Sequence, residues 1–417
     1  MLTFSQIKSL ASQHGSPFYL IDRRRFEQNF ADLTAAFSSR WKPLAMAYSY
    51  KTNYIPYLCR IVSDKGGWAE VVSRMEYDLA LKLGSDPTRI IFNGPVKRPD
   101  DIALALSGGS LVNLDSEAEI PAVLAYAAAH PSQAVRIGLR TNIGLSDEAG
   151  VSHIQNGLKV GRFGFDPTMI ETTLQKLKAE SNIKVVSLHG HTSTTDRGVW
   201  CFETIAKTLC RIAERYLPDT VESLNIGGGM FGAIAPEHRW CEVPSFDEYA
   251  EAVCTVLHQN AWAKTRRPAL MIEPGAAMAA NAVSFVTQVV SVKRVREKTF
   301  VTVDGSAFNT KPTFHKLNPP FEIIPASAHP GPAETFDVVG STCMEKDILM
   351  GQVTAPLPAA GDYLKVDNVG AYTVVMTPPF INPAPAILAL DGKDMICVRR
   401  RQTLEDVFSG FTGLSNG

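Results

Sequence analysis

Four short stretches hold residue types that could do chemistry. Lys51 closes the apolar run Ala45–Lys51, within YSYKTN. His189 and His191 stand two apart in HGHTST. Gly227, Gly228 and Gly229 form the triplet of NIGGG. Glu273 ends LMIE and precedes Pro274 and Gly275. A lysine at the end of an apolar strand is costly unless it is paired or used. Desolvation favours its neutral amine, a nucleophile that forms Schiff bases with carbonyls, although a lysine that merely snorkels from a strand exit reads the same way. Two histidines two apart on a strand face the same way, which suits a metal or the face of a flat ligand. No acidic or histidine partners at ligand spacing accompany them, so no metal is expected. Three glycines let successive N–H groups turn towards one point and bind an anion, and they also suit a mobile loop. A carboxylate as deep as Glu273 needs a partner, for which a protonated ring nitrogen or Arg140 would serve. An amine for an aldehyde, an imidazole for a ring, glycines for a phosphate and a carboxylate for a pyridinium together describe a pyridoxal 5′-phosphate site.

Such groups need a scaffold, and the chain predicts one. Short β-branched, apolar runs recur at Ala45–Lys51, Trp68–Val72, Arg89–Asn93, Leu111–Asp115, Val135–Arg140, Val185–His191, Ser223–Gly227 and Leu270–Glu273. Runs of this kind suit strands buried on both faces of a parallel sheet. Helix-compatible stretches such as Arg74–Leu83, Glu117–Ala129 and Phe202–Tyr216 lie between them. Eight alternations predict an α/β fold, a (β/α)8 TIM barrel, whose chemistry gathers at the C-terminal strand ends. Each stretch singled out above occupies such an end. After about Ala280 strand-like runs continue without helices, at Val283–Val292, Thr299–Asp304, Thr335–Val339, Asp362–Val366 and Met395–Arg399, among long proline-rich loops. This predicts an all-β domain. Pro17–Asp22 is also strand-like. The expected division is residues 1–22 as an N-terminal segment packing with the β domain, 23–280 as the barrel, and 281–417 as the β domain.

Composition sets the class of partner. The chain has 417 residues, 45% hydrophobic, with 41 basic against 42 acidic side chains. That balance offers no attraction to polyanions, so neither nucleic acid nor an anionic membrane surface is an expected partner. No apolar run approaches the roughly 18 residues of a membrane span, and the N-terminus lacks the pattern of a secretory signal. Seven cysteines without a C-x-x-C pair read as the reduced thiols of a cytoplasmic protein.

The ordered motifs carry a resemblance from about Pro17 to Val398. YSYKTN, WAEVVSRMEYDLALKLG, FNGPVKRPDDI, HGHTST, NIGGG, IEPG, GSTCMEKDIL and VGAYT follow one another as in the fold-III pyridoxal-phosphate decarboxylases, the diaminopimelate, ornithine and arginine decarboxylase group. The resemblance implies an alanine-racemase-like barrel with a C-terminal all-β, barrel-like domain. It implies that Lys51 holds the cofactor, that His191 stacks on its ring, that Thr194 with the Gly227–Gly229 backbone binds its phosphate, and that Gly275 is a further cofactor-binding residue. Glu273 would pair with the ring nitrogen. Cys343 would be the general acid that returns a proton to Cα after CO2 leaves. Cys343 and Tyr372 would reach the partner's site in a homodimer with shared active sites. Glu70 stands where relatives often have aspartate, and either carboxylate could lie near the lysine.

Two departures bear on the substrate. Where the family commonly has arginine after Glu-Pro-Gly, this chain has Ala276. Where an acidic residue commonly follows the cysteine, it has Met344, with Glu345 one position on. Between Ser306 and Pro320 the cationic candidates for a substrate carboxylate are Lys311 and His315. Met344, Glu345, Lys311 and Tyr372 are therefore the substrate-binding candidates. The expected activity is α-decarboxylation of an amino acid, with a modified or carrier-linked substrate of secondary metabolism, such as siderophore or antibiotic biosynthesis, as the first reading. A diaminopimelate or basic amino-acid decarboxylase of primary metabolism, a racemase or epimerase, and a non-catalytic cofactor-binding homologue are the alternatives.

Overall fold

The computed structural model describes residues 2–146, 149–194, 196–239, 241–313, 315, 317–327 and 332–412. They form two compact units. One comprises Gln28–Met278; the other joins Met1–Glu27 to Ala279–Gly417.

Strand β1 (Phe18–Asp22) belongs to the second unit. The next eight are β2 (Leu44–Ser49), β3 (Trp68–Val71), β4 (Ile90–Phe92), β5 (Leu111–Leu114), β6 (Val135–Thr141), β7 (Ile183–Gly190), β8 (Ser223–Asn225) and β9 (Ala269–Ile272). They close into a parallel barrel in chain order, with β9 hydrogen-bonded to β2. All eight coincide with the apolar runs read from the sequence.

The two-residue period of a strand divides the barrel interior into layers. Ala45, Ala47, Ile91 and Met271 pack together, with Trp68 and Leu111 against them. Two residues further along the strands stand Ser49, Glu70, Asn93, Asn113 and Glu273. The same inward rows thus change from apolar to polar as they approach the C-terminal ends. Side chains of the apolar layer contribute about 1.5–3 kcal/mol each for the larger ones. The polar layer must satisfy itself by hydrogen bonding. Outside the barrel, the helix Val199–Tyr216 packs on Phe246–Gln259, with the Phe202 and Tyr249 rings edge to face at 5.0 Å.

In the second unit, β1 is joined by β10 (Val283–Val295), β11 (Lys298–Val303), β12 (Phe321–Ile324), β13 (Ala333–Val339), β14 (Ile348–Pro356), β15 (Tyr363–Val366), β16 (Ala386–Asp391) and β17 (Asp394–Arg399). The strand order is β14-β13-β11-β10-β1-β16-β17, and β15 pairs with β10 and β12. Among the described residues this is a nine-stranded sheet, the mostly-β domain expected. β1 lies between β10, antiparallel, and β16, parallel.

The elements that escaped the sequence reading include three strands and the helix Phe4–His14, for local reasons. β12 has four residues within the proline-rich segment read as loop. β14 lacks clean alternation, since register shifts interrupt its pairing with β13 and Gln352 adopts φ +52°. β16 (AILALD) is apolar nearly throughout and carries no period of its own. The helix Phe4–His14 buries only Ile7 and is fixed by a capping box between Thr3 and Gln6.

Gly138 of β6 tests the layered interior. A Cβ there would lie 1.8 Å from Asn113 Oδ1. Its φ is not in the left-handed region, so Gly138→Ala gains about 0.4–1 kcal/mol through the unfolded chain. Overpacking costs about 1–3 kcal/mol. The net expectation is a lower thermal midpoint, read by calorimetry; an unchanged or higher midpoint would show that the Asn113 layer has slack.

Candidate active site

The polar layer at the C-terminal strand ends is one connected network. Lys51, just past β2, places Nζ 2.6 Å from Glu70 Oε2. The same oxygen accepts from Ser49 Oγ at 2.6 Å. Asn93, just past β4, donates Nδ2 to Glu70 Oε1 at 2.9 Å and to Glu273 Oε1 at 2.7 Å. Asn113 of β5 donates to Asn93 Oδ1 at 2.7 Å, which fixes the amide's orientation. Asn225 of β8 donates to Glu273 Oε1 at 2.7 Å. Glu70 is fully buried and Glu273 nearly so. Two buried carboxylates are therefore bridged by one amide and flanked by one amine.

Burial would raise the Glu273 pKa, but the electrostatic influence of His189, Lys51 and His191 outweighs it and holds the carboxyl below its ordinary range. His189 Nε2 stands 3.4 Å from Glu273 Oε2. That distance is long for a hydrogen bond, and neither His189 ring nitrogen has a hydrogen-bond partner among the described residues. Arg140, the alternative partner for Glu273, does not pair with it. Its Nη1 lies 3.3 Å from Asp115 Oδ1 and its Nη2 donates to His191 O at 3.1 Å. The Glu273 partners are amides and an imidazole, which leaves the carboxylate its charge.

The glycine turn is built against His191 and Glu273. Gly227 has φ +69° and Gly229 φ +107°. A Cβ on Gly227 would lie 2.6 Å from His191 Cβ, and one on Gly228 would lie 2.0 Å from Glu273 O. Gly227 N donates to Asn225 Oδ1 at 2.9 Å, and Gly228 N donates to His191 Nδ1 at 3.2 Å. The latter bond makes Nδ1 an acceptor and assigns the proton of the neutral ring to Nε2. Desolvation, Arg140 and Lys51 push the His191 pKa down to about 3. Gly275 packs equally tightly beside Lys51, since a Cβ there would meet Thr52 Oγ1 at 2.1 Å. Thr194 is engaged in its own turn, its Oγ1 accepting from Arg197 N at 3.0 Å.

These groups fit pyridoxal 5′-phosphate. A lysine amine, a charged buried carboxylate, a neutral imidazole and a turn in which only glycine fits occupy the ends of β2, β9, β7 and β8. Orphaned buried nitrogens of His189 and Arg140 lie on the same rim. Asn93, Asn113 and Asn225 were missed in the sequence reading. Their signal was an asparagine at three strand ends, in IFN, VNLD and LNIG, two residues beyond an apolar or small inward position.

The remaining candidates lie on the β-rich unit. Cys343 is exposed, as is Glu345; Met344 is half-buried. Tyr372 is 41% exposed with φ +56°. Lys311 is buried, and desolvation lowers its pKa. Ala276 opens the four-residue helix Ala276–Ala279 that follows Glu273-Pro274-Gly275 in the barrel unit's last turn.

Residues 23–280 match the family described as "Pyridoxal-dependent decarboxylase, pyridoxal binding domain". The chain is 29% identical over 414 residues to a probable chloroplastic diaminopimelate decarboxylase of Oryza sativa subsp. japonica, covering 98% of this chain and 82% of that one. It is 26% identical to the L-glutamyl-(BtrI acyl-carrier protein) decarboxylase of Niallia circulans, over 97% and 95% of the two chains. A point variant of the Helicobacter pylori diaminopimelate decarboxylase complexed with L-lysine superposes with a TM-score of 0.84 at 25% identity, covering 97% and 98%.

The depressed His191 pKa predicts a direction. Between about pH 6.5 and pH 3 the unfolded chain binds a proton at this histidine and the folded chain does not, so its contribution to stability is lost as pH falls through that window. Chemical denaturation at pH 7 and pH 4.5 should show the native protein losing stability relative to His191→Phe on acidification. A difference independent of pH would contradict a neutral, desolvated imidazole.

Proposed function

The chain belongs to the pyridoxal-dependent decarboxylases, and on that premise we propose that it releases CO2 from the α-carbon of an amino acid of the diaminopimelate class. It is a carboxy-lyase with pyridoxal 5′-phosphate as cofactor. The observation that carries the reading is Lys51 Nζ held at 2.6 Å by Glu70 while Asn93 ties Glu70 to Glu273.

When bound, the cofactor supplies a carbonyl for the substrate amine and a ring that accepts the electron pair left by the departing carboxylate. Lys51 would hold it and then yield to the substrate amine. Glu70 orients the Lys51 amine and keeps a proton within reach of it. Glu273, kept anionic, would hold a proton on the ring nitrogen and so maintain the ring as an electron sink. Neutral His191 would cover the ring without competing for that proton. The Gly227–Gly229 turn, with Gly275 and Thr194, would make room for the phosphate, with Gly229 N and the Thr194 hydroxyl as its donors. Cys343 would deliver the proton to Cα. Desolvated Lys311 would take a substrate carboxylate, with Tyr372, Met344 and Glu345 around the rest of the side chain. The active form is proposed as a homodimer, in which Cys343 and Tyr372 of one protomer serve the Lys51 site of its partner.

The diaminopimelate class now comes before the carrier-linked reading that Ala276 and Met344 suggested from the sequence, because most of the curated relatives carry that name. The carrier-linked reading remains second. It is supported by the apolar Met344 and the missing arginine at Ala276, and by the similarity to a decarboxylase whose substrate is a glutamyl group on a carrier protein.

Purified holoenzyme should release CO2 from meso-diaminopimelate, and Lys51→Ala should lower the rate by about 10³-fold or more. Lys311→Met should raise KM for that substrate about tenfold or more, with a smaller change in kcat. CO2 from a carrier-linked glutamyl group but not from diaminopimelate would select the second reading. CO2 from neither, nor from lysine, ornithine or arginine, would overturn the decarboxylase proposal for these substrates.

A further inference from the structure

Asp347, four residues beyond Cys343, is buried in the β-rich unit and is not among the residues assigned a role above. Each of its carboxylate oxygens faces a different segment. Oδ1 accepts from Ser306 Oγ at 3.0 Å and from Ala307 N at 2.7 Å. Oδ2 accepts from Thr342 N at 3.1 Å and from Thr342 Oγ1 at 2.6 Å. Its backbone closes the same loop: Asp347 N donates to Met344 O at 2.9 Å, and Gly340 N donates to Asp347 O at 2.8 Å. Ser341 N donates to Gly305 O at 2.9 Å, a second tie between the two segments. The packing leaves no room at Gly340, where a Cβ would meet the Asp347 carboxylate at 2.3 Å.

The two segments carry different chemistry. Thr342 immediately precedes Cys343 and Met344. Ser306 caps the short helix Ala307–Thr310, and Lys311 N donates to Ala307 O at 2.8 Å. One carboxylate therefore sets the register between the cysteine loop and the turn that carries the buried lysine. Four donors on one buried acceptor pair constitute a rigid clamp, because losing the carboxylate would leave two N–H groups and two hydroxyls unsatisfied at once.

We propose that Asp347 is a positioning residue that registers the Cys343 loop with the Ser306–Lys311 turn, so that proton delivery and recognition of the substrate's carboxylate are set by one buried side chain. The proposal rests on the roles given above to Cys343 and Lys311. Asp347 itself neither donates the proton nor touches substrate. Its contribution is geometric, and small displacements of a reacting group are costly in rate.

The test uses the holoenzyme of Asp347→Ala and Asp347→Asn, with cofactor absorbance and thermal midpoint as checks of folding. A second readout, independent of turnover, is the iodoacetamide alkylation rate of Cys343, followed by peptide mass spectrometry with exposed Cys397 as internal standard. Asp347→Ala is expected to lower kcat by about tenfold or more, to raise KM, and to change the Cys343 rate by about fivefold or more while Cys397 is unaffected. Asp347→Asn keeps the volume and one acceptor oxygen, so its losses should be smaller in every readout. A folded Asp347→Ala with kcat, KM and Cys343 alkylation all within about twofold of native would overturn the proposal. If the alanine variant does not fold, native values in Asp347→Asn overturn it equally. Cys343→Ala separates the premise from the inference: unchanged turnover in that variant refutes the cysteine's role as acid, whereas the alkylation comparison still decides whether Asp347 sets the loop.

Discussion

Two carboxylates inside a barrel are the constraint on which this site depends. Glu70 and Glu273 are buried at the ends of β3 and β9, and an unpaired buried charge costs several kcal/mol. The barrel meets that cost with donors from neighbouring strand ends: Ser49, Lys51, Asn93 and Asn225. Only one of the four is a cation. Amide donors satisfy the oxygens without neutralising the site, so Glu273 keeps its charge and Lys51 is held without losing its amine.

The same economy of charge governs the rim. Arg140 is the strongest cation nearby, yet it is committed to Asp115 and to the backbone of His191. It therefore acts on the site at a distance, helping to keep His191 neutral, and does not cancel Glu273. The glycine turn follows from crowding by these same groups. Its first two glycines approach His191 and the Glu273 carbonyl so closely that a side chain would collide, and their N–H groups are spent on Asn225 and His191.

The β-rich unit solves a similar problem with one acceptor in place of a network. Asp347 gathers hydroxyl and N–H donors from two segments more than thirty residues apart, in a region with few regular elements. Long loops rich in proline carry little structure of their own. A buried carboxylate with four donors supplies the definition that strand pairing supplies in the barrel.

How much of this was legible depended on whether a residue's role is local. The eight barrel strands, the lysine, the histidine pair, the glycine triplet and Glu273 announced themselves, because strand periodicity and residue type belong to short windows. Motif order also carried the family. β12, β14 and β16 did not announce themselves, since their pairing partners are distant and bulges or uniform apolarity erase the two-residue period. The asparagines were visible only as polar residues at strand ends; what joined them into one network was the meeting of β3, β4, β5, β8 and β9 around one axis. Glu70 was placed near Lys51 only as an option until barrel closure put them 2.6 Å apart. Sequence alone thus determined which chemical groups this protein carries and on which elements. Tertiary structure decided which of them share a proton, a charge or a hydrogen bond, because those relations depend on distances between residues that only folding brings together.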